Sequence, residues 1–139
     1  MASANAYDPL GDGQEYDGLA PLAIDGDPGT AWRTERYDTS TLGNLKEGVG
    51  LMLDLGRPRS VRKVQLTLIS GGGSVVLRAG DEDSLDALSA VKTVKDAPRS
   101  LTVRLQKGRS ARYWLVWFTE LPPGDGGYRG GVAEIVLSG

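Results

Sequence analysis

Alternation of apolar and polar residues at a period of two is the feature that most limits what this chain can fold into. Val64, Leu66 and Leu68 alternate with Lys63, Gln65 and Thr67, and Leu101, Val103 and Leu105 alternate with Thr102, Arg104 and Gln106. Each run places its apolar side chains on one side of an extended segment and its polar ones on the other, as half-buried antiparallel strands do. Short apolar runs of this kind recur at residues 49–55, 61–69, 74–79, 100–105, 113–119 and 132–137, separated by turn formers. No stretch of any length carries a helical period. The spacing predicts an all-β domain, a jelly-roll β-sandwich occupying all 139 residues, with residues 1–6 a flexible extension.

Several local expectations follow from the same reading. Tyr113-Trp114-Leu115-Val116-Trp117-Phe118 is apolar on both faces, so it belongs in a central strand covered on both sides or in one whose second face binds something. Residues 81–88 allow one helical turn, and residues 89–94 a weak edge strand. Gly71-Gly72-Gly73-Ser74 reads as a hairpin turn, since it lacks the Lys and the helix of a phosphate-binding loop. Up to about Gly48 the chain is rich in turn formers and reads as irregular, ligand-bearing loop.

Composition removes whole classes of chemistry. With no cysteine there is no disulfide, thiolate nucleophile or Cys-based metal site, and with no histidine there is no imidazole base and no HExxH-type centre. Paired acids such as Asp25 and Asp27 sit in one turn, whereas glycoside hydrolysis needs two carboxyl groups across a cleft. The expected molecule is therefore a binding module and not an enzyme. A formal charge of −2 gives no global basic field for nucleic acid, and no apolar run approaches a membrane span.

The charges are unevenly placed. Asp8, Asp12, Glu15, Asp17, Asp25 and Asp27 all precede the first cation, Arg33. Conversely, Arg99, Arg104, Lys107, Arg109 and Arg112 follow one another without an intervening acid, an arrangement that strand alternation can leave simply solvated. The acidic knot Asp8, Asp12 and Glu15 lacks EF-hand spacing; it reads as a solvated loop, as extra cation ligands or as an anchor for Arg33 and Arg36.

Ala23-Ile24-Asp25-Gly26-Asp27-Pro28-Gly29-Thr30-Ala31-Trp32 carries the most chemistry. Two carboxylates one residue apart, a glycine able to take positive φ and a nearby threonine can wrap a hard cation, with backbone carbonyls completing the oxygen cage. An ordinary Asp/Gly/Pro turn capped by its own side chains has the same spacing. Aromatic rings at Trp32, Tyr37, Tyr113, Trp114, Trp117 and Tyr128 offer stacking faces for a pyranose, although core packing claims most such residues. Trp114 and Trp117 point to opposite faces of their strand, and Tyr37 and Tyr128 lie in loops beside Arg33, Arg36 and Arg129.

This stretch, followed by Gly50-Leu51-Met52-Leu53-Asp54-Leu55-Gly56 and by Gly131-Val132-Ala133-Glu134-Ile135-Val136-Leu137, resembles the galactose-binding-like domains of the discoidin, or coagulation factor 5/8 type C, class. The resemblance implies a jelly roll with a structural calcium held by Ala23, Asp25, Asp27, Thr30 and Glu134. It also implies a ligand surface on loops at one end, where Arg33, Arg36, Tyr37, Tyr128 and Arg129 are the candidate contacts. Tyr7 to Glu15, Ala31 to Tyr37, Gly43 to Gly50 and Trp117 to Pro122 are similar to the extracytoplasmic C-terminal domain of actinobacterial pseudokinase membrane proteins and MviN-type lipid II flippases. That similarity implies a cell-surface segment of a membrane-anchored protein, with a cell-envelope carbohydrate, peptidoglycan or a lipid-linked sugar as ligand. A protein partner of the cell-wall machinery is the alternative, and an exposed apolar patch around Trp114 or Phe118 would favour it.

Overall fold

The computed structural model describes residues 3–7, 17–27, 29–34, 37, 39–41, 48–124 and 126–139. Nine strands are present among them: β1 (Ser3–Tyr7), β2 (Trp32–Arg33), β3 (Val49–Leu68), β4 (Ser74–Gly80), β5 (Ser89–Val94), β6 (Ser100–Glu120), β7 (Pro123–Gly124), β8 (Gly127–Tyr128) and β9 (Gly131–Ser138). The main sheet runs β2-β9-β3-β6-β4-β5, with β1 on β3, and every pairing in it is antiparallel.

Two long strands carry the architecture. The first part of β3 pairs with β1 and its second part with β9, while the end of β6 pairs with β4. Between Asp54 and Arg59 on β3, and between Arg104 and Arg109 on β6, the ladder shifts register, so extra residues bulge out and the strands bend. The two halves of the sheet thereby fold over one core. Leu51, Leu53, Val75, Leu77, Trp114, Val116 and Phe118 come from one layer; Trp32, Val64, Leu66, Leu68, Val103, Val132 and Ile135 come from the other. A smaller cluster of Met52, Leu88, Leu115 and Trp117 lies on the far side of the first layer, where the 3-10 turn Leu85–Ala87 brings Leu88 over the sheet.

The alternation is realised as read: Val64 pairs with Val103 and Leu66 with Leu101, all four packed in or against the core. The Tyr113 to Phe118 run is a central strand between β3 and β4, with Trp114 in one cluster and Trp117 in the other. Residues 89–94 form an edge strand on β4 alone.

Three expectations need correction. Residues 1–6 are not all an extension, because Ser3–Tyr7 pairs along β3 and Ala4, opposite Leu53, is buried. The glycine run at residues 71–73 does not close a hairpin. β6 lies between β3 and β4, so the run is a crossover, tied by the Gly72 N–H to the Ala97 carbonyl and the Ala97 N–H to the Gly73 carbonyl. The first third is not wholly irregular either: Asp17–Ile24 is a 3-10 helix, whose three-residue period turns Ala20 and Ala23 into the core.

Candidate functional site

The turn after the 3-10 helix folds around Asp25. Its Oδ1 accepts the Asp27 N–H at 2.9 Å, and its Oδ2 lies in hydrogen-bonding contact with the Thr30 hydroxyl. The Asp27 Oδ1 accepts the Gly29 N–H at 2.8 Å, and the Asp27 carbonyl accepts the Thr30 N–H. Gly26 has φ +78°, a conformation that side chains resist, which is why glycine serves there. The Thr30 hydroxyl, then the Asp27 N–H, hold the Asp25 carboxyl below its usual pKa.

Glu134 reaches this turn from β9, across 109 residues of sequence from Asp25. Burial, and then the Asp25 charge, push its carboxyl pKa up; a Gly26 backbone hydrogen bond opposes them, and Asp27 adds further repulsion. The Glu134 Oε2 is shielded from solvent and has no hydrogen-bond partner. An orphaned carboxylate oxygen facing two further carboxylates is the electrostatic arrangement that a cation relieves. Among the described residues no three acidic side chains group tightly enough to hold a metal by themselves. A bound ion would need oxygens beyond these carboxylates, and the Thr30 hydroxyl beside Asp25 is one of the hard, oxygen-only kind that calcium takes.

Beside the turn, two segments distant in sequence are zipped together. Trp32 pairs with Val132 and Arg33 with Gly131. The Thr34 N–H then donates to the Gly130 carbonyl at 2.9 Å, and the Gly130 N–H to the Thr34 hydroxyl at 3.2 Å. Tyr37 and Tyr128 exchange both backbone hydrogen bonds, each 2.8 Å, and Tyr128 also pairs with Pro123. The candidate contacts Arg33, Tyr128 and Arg129 are thus brought to one rim by a β ladder. Arg33 is exposed, while Tyr128 and Arg129 are half-buried.

Tyr37 departs from the expectation of an exposed stacking ring. It is 8% exposed and belongs to the core, and its bridge partner Tyr128 packs against the same cluster. Trp32, Trp114, Trp117 and Phe118 are buried as well, so neither a stacking face nor an apolar docking patch forms around Trp114 or Phe118. Tyr113 keeps a partly open ring, under the Arg112 guanidinium at 4.9 Å; in the sequence nothing separates it from the other five aromatic candidates. Arg36 and the Asp8, Asp12 and Glu15 knot lie outside the described residues.

The fold is an all-antiparallel β-sandwich of the jelly-roll class. No family model matches the chain. In fold it is similar to the chitosan-binding module 1 of a chitosanase/glucanase from Paenibacillus sp. IK-5, with TM-score 0.72 at 19% identity over 99% of this chain and 94% of that one. It is also similar to the CBM32 module of AlyQ in complex with 4,5-unsaturated mannuronic acid, with TM-score 0.65 at 15% identity over 99% and 93%. A Ruminococcus gnavus GH29 fucosidase in complex with fucose matches over 98% of this chain but 25% of its own, with TM-score 0.70 at 17% identity.

Proposed function

We propose that this chain is a non-catalytic carbohydrate-binding module, whose ligand sits on the rim formed by Arg33, Tyr128 and Arg129. The observation that carries the reading is the ladder from Trp32 and Val132 out to Tyr37 and Tyr128. It brings the backbone of exposed Arg33 and half-buried Tyr128 and Arg129 to one end of the sandwich, which supports a shared ligand edge there. An apolar ring face suits the C–H face of a sugar, and guanidinium groups suit hydroxyl, carboxylate or phosphate oxygens. The fold shared with chitosan-binding and CBM32 modules supports it. The absence of His and Cys from the sequence speaks against an acid/base pair or an activated nucleophile.

A calcium ion on Asp25, Asp27, Thr30, Glu134 and the Ala23 carbonyl would tie the turn to β9 and so brace the rim. The similarity of residues 31–37 and 117–122 to extracytoplasmic domains of cell-wall membrane proteins supports a cell-surface setting with peptidoglycan-related sugar as ligand. No helix among the described residues is long and apolar enough to cross a membrane. A glycan and peptidoglycan-fragment screen on the purified chain, run with calcium and with chelator, tests the reading. Binding that Arg33→Ala and Tyr128→Ala each weaken supports it; binding that neither touches overturns it.

A further inference from the structure

The cation run that alternation alone leaves solvated acquires company in the folded chain. Residues 55–80 and 97–119 contain ten Lys or Arg and no Asp or Glu. The structure stacks these two segments against each other: Lys63 is directly opposite Arg104, Val61 opposite Arg109 and Arg59 opposite Ala111. Their neighbours Val64 and Val103 face the core, so Lys63 and Arg104 project together from the outer face of the second layer. Arg62 and Lys107 are exposed beside them, with the Arg62 stem against the turn at Gly108. Arg57 and Arg59 are exposed on the rim of an open hollow of about 720 Å³, formed with the end of β9.

No acid among the described residues pairs with the cationic end of this surface; Glu134, opposite Thr67 on β9, closes its other end. Among the described residues, Arg112 has an ion pair, with Asp54, and the Arg109 guanidinium donates to the Ala79 carbonyl and the Ser89 hydroxyl. Arg57, Arg59, Arg62, Lys63, Arg104 and Lys107 have no carboxylate partner there. Like charges directly opposite on adjacent strands destabilise a sheet, so the Lys63 and Arg104 pair costs stability unless an anion lies over it.

From this pair a polar lane continues along the same face. Gln65 is opposite Thr102 and Thr67 opposite Ser100, a run of about 13 Å at strand rise from Lys63 to Thr67. Amide and hydroxyl groups beside guanidinium and ammonium groups match a chain that carries both hydroxyls and repeated anionic groups. The face has one exposed large apolar side chain, Val136, and no aromatic ring among these positions. It therefore lacks the apolar anchors of a bilayer-binding surface and the stacking platforms of single-stranded nucleic acid.

We infer that the outer face of the second layer, centred on Lys63 and Arg104 and bounded by Arg62 and Lys107, binds an acidic polysaccharide. This face is separate from the Arg33 and Tyr128 rim and does not depend on that rim binding sugar. The test uses the whole chain in affinity electrophoresis and calorimetry, with polygalacturonate as the anionic glycan, dextran as the neutral one, and phosphatidylglycerol vesicles. Polygalacturonate should bind, with affinity falling as salt is raised, and dextran should not bind this face. Lys63→Glu turns the repulsive cross-strand pair into an attractive one, so it should weaken polygalacturonate binding about tenfold while leaving the melting temperature equal or higher. Arg62→Gln with Lys107→Gln should weaken it independently, and Lys95→Gln, at an exposed position just past β5, should leave it unchanged. Binding unaltered by both sets of substitutions, binding weakened as much by Lys95→Gln, or binding to the vesicles but not to polygalacturonate would each overturn the assignment.

Discussion

Tyr37 and Tyr128 exchange two backbone hydrogen bonds of 2.8 Å and so project to one face, where Tyr37 is buried within the core and Tyr128 packs against it half-buried. Tyr37→Ala should cost about 3 kcal/mol by removing a buried ring, measured by denaturant unfolding. Tyr128→Ala should cost less stability and lose affinity for any sugar found by screening. Equal stability losses for the two would contradict this difference in burial.

Glu134 sets a distinct pH signature. Its folded pKa is raised, so the folded state binds the proton more tightly than the unfolded chain. Stability from this group is fully present below the unfolded value of 4.5 and is lost as pH rises through the raised folded value. In chelator at neutral pH, Glu134→Gln should therefore melt higher than the parent, with the gap closing below pH about 4.5. Calcium should raise the melting temperature of the parent and have little effect on the variant. A parent that melts identically with calcium and with chelator would rule out the ion.

Asp54 works in the opposite direction. Arg112 binds it with two hydrogen bonds of 2.9 and 3.1 Å, and this guanidinium, helped by the Gly56 N–H, holds its pKa below 3.8. Its contribution is present above the unfolded value and disappears as pH falls through the depressed folded one. Asp54→Asn should be modestly less stable than the parent at pH 6, with the two melting curves converging in strong acid. A gap that persists there would assign the effect to packing.

Gly50 marks a close approach of β3 to β6. A Cβ there would stand 2.3 Å from the Val116 carbonyl oxygen, a contact that backbone must yield to relieve. Gly50→Ala should destabilise the domain by about 1–3 kcal/mol, more than Asp54→Asn does at any pH. Gly26→Ala should act differently, since nothing lies within 4 Å of its Cβ and its cost comes from φ alone.

Local chemistry was enough to read the strands. Alternation at 63–68 and 101–106, the two-faced run at 113–118 and the turn at Gly26 each depend on side chains within a few residues of one another, so they show in the sequence alone. Tertiary structure alone decided what pairs with what. Gly71-Gly72-Gly73 became a crossover because β6, supplied thirty residues later, lies between the strands it joins. Ser3–Tyr7 became a strand because β3 offered it an edge, and Tyr37 became a core residue because the tertiary fold brought it against Tyr128 and the core cluster. The cationic face likewise needed the register that sets Lys63 opposite Arg104, and register follows from long-range burial that no local pattern encodes.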